Sequence, residues 1–184
     1  MQQVRQPACA GSFYPGQSQV LSSAIDAMLE TAGRDGGMLS AVPKAIIVPH
    51  AGYIYSGTTA AMAYAHLSNG RKTIRRVVLL GPVHRVPVIG LALPGFDVFA
   101  TPLGDIEIDQ AAVADITHMR QVVVSPVAHA QEHSLEVQLP FLQSVLDDFK
   151  LVPLAVGDAT PAEVAQVLDA LWGGTETLIV ISSD

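Results

Sequence analysis

A chain of 184 residues, 49% apolar and 15% charged, is long enough to bury a core and too hydrophobic for a disordered segment. Its net charge of −7, with no basic run beyond Arg71-Lys72 and Arg75-Arg76, excludes the electrostatic footprint of a nucleic-acid binder. The single cysteine, Cys9, excludes an intrachain disulfide framework. No apolar run approaches a membrane span, and the opening MQQVRQPACAGSFYPG lacks the apolar stretch of a signal peptide. The expected compartment is therefore the cytoplasm.

The elements follow in chain order. Pro7–Gly16 is an irregular segment bounded by proline and glycine, with Phe13 and Tyr14 either exposed or tucked against the core. Val20, Leu21, Ala24, Ile25, Met28 and Leu29 recur at helical spacing, with Ser18 as N-cap and Gly33 as stop. A polar loop spans Arg34–Pro43; its Gly36-Gly37 pair follows no strand and so makes no phosphate-binding loop. Lys44–Val48 reads as a buried strand and Thr58–Leu67 as an alanine-rich helix. Arg75–Leu80 is a second strand and Val88–Leu93 a third. Asp105–Asp109 alternates, and Asp109 can cap a helix over Gln110–Thr117. Gln121–Ser125 is a short strand. His129–Leu146 is a helix with Leu135, Leu139, Leu142 and Leu146 on one stripe, kinked or broken near Pro140. Lys150–Val156 is a strand, Thr160-Pro161 opens a helix through Leu171, and Thr177–Ile181 is the last strand. Strands alternating with helices predict an α/β fold: a mixed, mostly parallel sheet with helices on both faces.

Three strands end in residues that can hold a metal. The first delivers His50, the second His84 and the last Asp184. If these strands are parallel, all three side chains emerge at one sheet edge, where ligands collect in open α/β sheets. Two histidines and a carboxylate are the ligand set of non-haem iron sites, and zinc uses it too. Taken singly, each histidine is by default a loop residue bonded to backbone. As a pair they point further, because each sits in a Gly/Pro-framed turn after a buried strand.

Ala128–Glu136 packs His129, Glu132, His133 and Glu136 into nine positions, without forming the HExxH pattern. On a helix, Glu132 and Glu136 share one face and His129 and His133 a neighbouring one. His133 or a glutamate can serve as ligand, proton shuttle or orienting partner; a solvated, acidic helix N-terminus is the equal alternative. Cys9 reads as a small hydrophobe, and His66 and His118 as surface residues. Ser56, Ser134 and Ser183 lack a nucleophile elbow. Tyr53 and Tyr55 either line a pocket or simply pack.

Seven motifs occur in order: PACAGSFYPG (7–16), IIVPHAGYIYSG (46–57), LLGPVHRVP (79–87), TPLGDIEID (101–109), AQEHSLEVQLPFLQ (130–143), LVPLAVGD (151–158) and VISSD (180–184). Together they resemble the Memo family, whose prokaryotic members are called AmmeMemoRadiSam system protein B. The resemblance implies a fold similar to class III extradiol ring-cleaving dioxygenases of the LigB type, and a pocket that can hold iron or copper. It implies that His50 and His84 match metal ligands, and that His133 and Asp184 line the same pocket in catalytic roles. In the family the SSD motif runs on through a further histidine to a segment with a cysteine ligand, which Cys9 does not replace. The expectation is therefore a single Memo-like domain over residues 1–184 without that C-terminal segment.

The leading expectation is a metal-dependent oxidoreductase with Fe(II), or copper, on His50 and His84, His133 as acid/base or orienting partner, and Asp184 as ligand or orienter. The rival is a non-catalytic module binding a peptide or small molecule in the same pocket, since the family resemblance includes a phosphotyrosine-peptide binder. Zinc-dependent hydrolysis is chemically open but is not what the resemblance suggests. The resemblance also implies functional association with radical-SAM and AMMECR-type proteins.

Overall fold

The computed structural model describes residues 2–35 and 39–184. Nine strands and seven α-helices are formed by these residues. The strands are β1 (Val4–Arg5), β2 (Ala45–Val48), β3 (Arg76–Pro82), β4 (Leu91–Leu93), β5 (Val98–Thr101), β6 (Gly104–Glu107), β7 (Val122–Val124), β8 (Lys150–Val156) and β9 (Thr177–Ser182). The helices are α1 (Ser18–Asp35), α2 (Tyr53–Ala65), α3 (Gln110–Ile116), α4 (Pro126–Ala130), α5 (His133–Glu136), α6 (Leu139–Val145) and α7 (Pro161–Leu171).

The main sheet has the order β2-β9-β3-β8-β4-β7. Its first four strands are mutually parallel, β4 runs antiparallel to β8, and β7 is parallel to β4. The mixed, mostly parallel sheet expected from the sequence is thus present. A small sheet, β1-β5-β6, lies beside it and ties the N-terminus to the β5–β6 hairpin.

Strand alternation divides the core in two. Val77, Leu79, Leu151, Leu178 and Val180 face one way, toward Leu21 and Ile25 of α1 and Ala61 and Tyr64 of α2. Val78, Leu80, Val152, Leu154 and Ile179 face the other way, toward Ala112 and Ile116 of α3 and Val167 and Leu171 of α7. Burial on both faces is why the central strands read as unbroken apolar runs. The cover ends at the edge strand β2, where Ile47 is 70% exposed. No helix among the described residues is long and apolar enough to cross a membrane.

The caps follow the sequence. The Asp109 side chain accepts from the Ala112 N–H at the start of α3, and Thr160 with Glu163 forms a capping box on α7. Other boundaries move. Helix α1 passes through Gly33 to Asp35, and the Gly36-Gly37 pair lies outside the described residues. Helix α2 starts at Tyr53, five residues before its expected start. Val88–Leu93 shortens to β4, with Ile89 in a lone bridge to Asp158.

The largest correction concerns 129–146, expected as one helix. It consists of the end of α4 and two further short helices, α5 and α6. Gln131 leaves helical geometry, and the Glu132 carboxylate accepts the His133 and Ser134 N–H groups, starting α5 afresh. Pro140 sits in the first turn of α6, where its missing N–H costs nothing. The leucine stripe survives the breaks: Leu135, Leu139, Leu142 and Leu146 are all buried.

Candidate metal centre at the carboxyl ends of the parallel strands

Because β2, β3 and β9 are parallel, their carboxyl ends meet at one edge, with β9 between the other two. His50 follows β2, His84 follows β3 and Asp184 follows β9. The fourth group, His133, comes from α5. Gly81 of β3 lets α5 approach: a Cβ there would lie 2.8 Å from Ser134 Oγ and 2.9 Å from a Leu135 methyl. Ser134 Oγ also donates to the Pro82 carbonyl at 2.8 Å. The strand before His84 and the helix carrying His133 are thereby locked together.

The three imidazoles form one cluster. Each of His50, His84 and His133 offers a ring nitrogen, and these three atoms all lie within 4.8 Å of one another. Ring centroids are 5.2 Å apart for His50 and His84, 5.5 Å for His50 and His133, and 4.4 Å for His84 and His133. His50 is buried, His133 half-buried and His84 the most exposed. Burial pulls the His50 and His133 pKa values below the ordinary range, partly opposed by Asp184 for His50 and by Glu132 for His133. Both rings are thus held neutral at neutral pH, the state in which imidazole has a lone pair to give a cation.

Glu132 anchors the cluster from below. Its Oε2 accepts the His84 N–H at 2.6 Å, and its Oε1 accepts the His84 Nδ1–H at 2.8 Å and the His133 and Ser134 N–H groups at 2.9 Å each. Burial alone would raise the Glu132 pKa; the bonds from Ser134 and His84 outweigh it and hold the group below the usual carboxylate range. With Nδ1 of His84 committed to a carboxylate, its Nε2 is the nitrogen left for a ligand. Asp184 sits beside the cluster. Its Oδ1 accepts the His50 N–H at 2.8 Å, and its Oδ2 lies 3.4 Å from His50 Nε2.

A cleft of about 580 Å³ opens over this edge. His50, His84, Ser182, Ser183 and Asp184 give it a polar side; Leu80, Val156, Val164 and Ile181 give it an apolar one.

The residues of 129–136 separate. His133 joins the cluster, while His129 turns away: its Nε2–H donates to the Ala92 carbonyl at 2.7 Å, and burial drives its pKa to about 4. Glu132 and Glu136 are both buried, which overturns the solvated helix start. Glu136 Oε2 accepts the Arg5 Nη1–H at 2.7 Å and the Ala8 N–H at 2.9 Å; its Oε1 accepts the Cys9 N–H at 2.8 Å and the Tyr14 hydroxyl at 2.6 Å. Arg5 also donates to the carbonyls of His129 and Glu132. The irregular segment 7–16 is therefore wrapped around a buried carboxylate and braces His133, whose ring lies 4.7 Å from Phe13. Sequence reading passed over Arg5; its partner is 131 residues away, and only its place in a strand-like VR pair hinted at burial.

The remaining candidates are structural or open. Burial and the nearby Glu136 push the Cys9 thiol up to about 12, which suits a small hydrophobe. Tyr53 is buried and donates to the Val137 carbonyl, whereas Tyr55 faces solvent. His118 is exposed and His66 half-buried.

The family model for Memo-like proteins matches residues 5–184. A MEMO1 family protein of Aquifex aeolicus is 39% identical over 98% of this chain and 66% of its own length. One from Ignicoccus hospitalis is 37% identical over 98% of the chain and 67% of its own, and one from Aeropyrum pernix 42% identical over 83% and 57%. The chain thus spans about two thirds of the length of the first two relatives. With a family model over nearly the whole chain and these relatives in agreement, the chain belongs to the Memo family.

Proposed function

We propose that the histidine edge holds one redox-active metal ion, iron(II) or copper, and that the protein is an oxidoreductase acting on a small molecule in the cleft. The observation that carries this is the cluster of three ring nitrogens within 4.8 Å of one another. The donor set fits. Imidazole suits iron, copper and zinc alike. Three ring nitrogens gathered this closely can be shared by one ion.

When bound, iron or copper supplies the Lewis acidity and electron-transfer chemistry that no side chain here has. The protein's own residues do the rest. His50, His84 and His133 bind, and Glu132 orients His84. His133 is thereby assigned as a third ligand, in place of the acid/base or orienting role of the leading expectation. Asp184, whose side chain is 57% exposed, is the group free to take or return a proton on a substrate hydroxyl. The apolar wall of Leu80, Val156, Val164 and Ile181 receives the carbon skeleton. A cytoplasmic setting and association with radical-SAM and AMMECR-type proteins belong to the same proposal and rest on family resemblance.

Anaerobic Fe(II) titration of the wild type against His50→Ala and His84→Ala tests the site. One equivalent should bind the wild type, with affinity falling more than about 100-fold in each variant; equal weak binding by all three refutes it. Oxygen uptake by the loaded protein with catechol-type probes then separates an oxidoreductase from a metal-bearing binding module.

A further inference from the structure

We propose that Ser182 is a positioning residue that fixes His50 with its ring proton on Nδ1, leaving the Nε2 lone pair for the histidine cluster. The inference deepens the metal-site reading and rests on it for its consequence.

The argument is a count of hydrogens. Ser182 Oγ lies 2.6 Å from the Ser134 carbonyl, 3.0 Å from Gln138 Nε2 and 3.1 Å from His50 Nδ1. A carbonyl only accepts, so the one hydroxyl hydrogen goes to Ser134. The Gln138 amide is oriented in turn. Its nitrogen lies 2.9 Å from the Pro49 carbonyl, another pure acceptor, and its oxygen accepts the Tyr64 hydroxyl at 2.9 Å. The second amide hydrogen therefore points at Ser182. With its hydrogen given away and one lone pair filled, Ser182 can meet His50 Nδ1 only as an acceptor. Asp184 Oδ2 stands 3.4 Å from Nε2 without a hydrogen bond to it, so His50 donates to Ser182 and Nε2 of the neutral ring is left unprotonated.

Burial makes this arrangement rigid. Tyr64, Gln138 and Ser182 are at most 2% exposed, so water cannot replace a missing partner. The other tautomer would set two lone pairs against each other, or turn the serine hydrogen away and orphan the Ser134 carbonyl. The short helix α5 thereby reaches every ring of the cluster: it carries His133, holds His84 through Glu132 at its N-cap, and holds His50 through the Ser134 carbonyl and Ser182.

The test reads the tautomer directly in the metal-free protein. Long-range proton–nitrogen NMR of the ¹⁵N-labelled chain, with His50 assigned by its loss in His50→Gln, should show a single Nδ1–H form in the wild type. Ser182→Ala should bring in the Nε2–H form, and Ser182→Thr, which keeps the hydroxyl, should restore the wild-type pattern. Zn(II) affinity, as a redox-silent readout, should fall about 10–100-fold in Ser182→Ala and recover in Ser182→Thr. A wild-type His50 protonated on Nε2, or a tautomer unmoved by Ser182→Ala, overturns the inference. A tautomer that shifts as stated in a protein that binds no metal would sustain the inference and refute the metal site instead.

Discussion

The parallel strands carry a cleft at each end, of nearly equal volume and opposite character. At the carboxyl ends, about 580 Å³ lies over His50, His84 and Asp184. At the amino ends, about 600 Å³ is lined by Val42, Pro43, Lys44, Ile74, Trp172 and Thr177. The second cleft has a charged group too, but its capacity is spent. Lys44 Nζ donates to the Trp172 carbonyl, to Gly174 at 2.7 Å and to Thr177 at 2.8 Å, and lies over the Trp172 ring. An ammonium has three hydrogens, and all three are used. At the histidine end each ring fixed by a hydrogen bond has a second nitrogen left over. Volume therefore does not distinguish the two ends; unspent donor capacity does.

The comparison can be broken first at the floor beneath the histidine end. Glu136→Gln leaves Arg5 buried without its countercharge, and should cost about 3–5 kcal/mol of stability in urea unfolding. A loss under about 1 kcal/mol would show that this floor supports nothing.

A pH titration separates the two buried roles of histidine. Burial holds the folded-state pKa of His129 at about 4, below its ordinary value, and Arg5 and Glu132 are the charged groups that act on it. Its Nδ1 is the buried polar side-chain atom without a partner among the described residues. The stability this neutral ring allows is complete above about pH 6.5 and lost as pH falls toward 4, because the unfolded chain takes up the proton first. The drop should approach roughly 3 kcal/mol over that window. It should be visible in urea midpoints by pH 5 and smaller in His129→Gln; a flat profile contradicts it.

The amino-terminal cleft gives a smaller effect of a different kind. Lys44→Met should lower stability by about 1–2 kcal/mol and leave metal affinity unchanged. Altered metal binding would mean that the two ends are not independent. Smallest of all, Asp184→Asn should change metal affinity less than about tenfold by calorimetry. Asp184 bonds the His50 backbone and lies beside the three-nitrogen cluster, without belonging to it.

Much of this was legible in the sequence, for physical reasons. Strands β3, β8 and β9 are buried on both faces and announce themselves as apolar runs, so the turns after them, with His84 and Asp184, could be placed. The caps at Asp109 and Thr160-Pro161 are local chemistry and were equally plain. What stayed hidden depends on distant partners. The antiparallel turn of β4 leaves no mark on Leu91–Leu93. His129 and His133 looked like neighbours on one helix; the break at Glu132 sends one to Ala92 and the other to the cluster. The sequence pattern does not mark Ser182, because its role is set by Ser134 and Gln138, more than forty residues away.

The central claim is that the unspent nitrogens of His50, His84 and His133 hold one ion. It is tested most directly by iron-edge anomalous scattering from crystals grown anaerobically with Fe(II). One peak is predicted, about 2 Å from a ring nitrogen of each of the three histidines. Density only at surface carboxylates or in the Lys44 cleft, with none among the three rings, would contradict it.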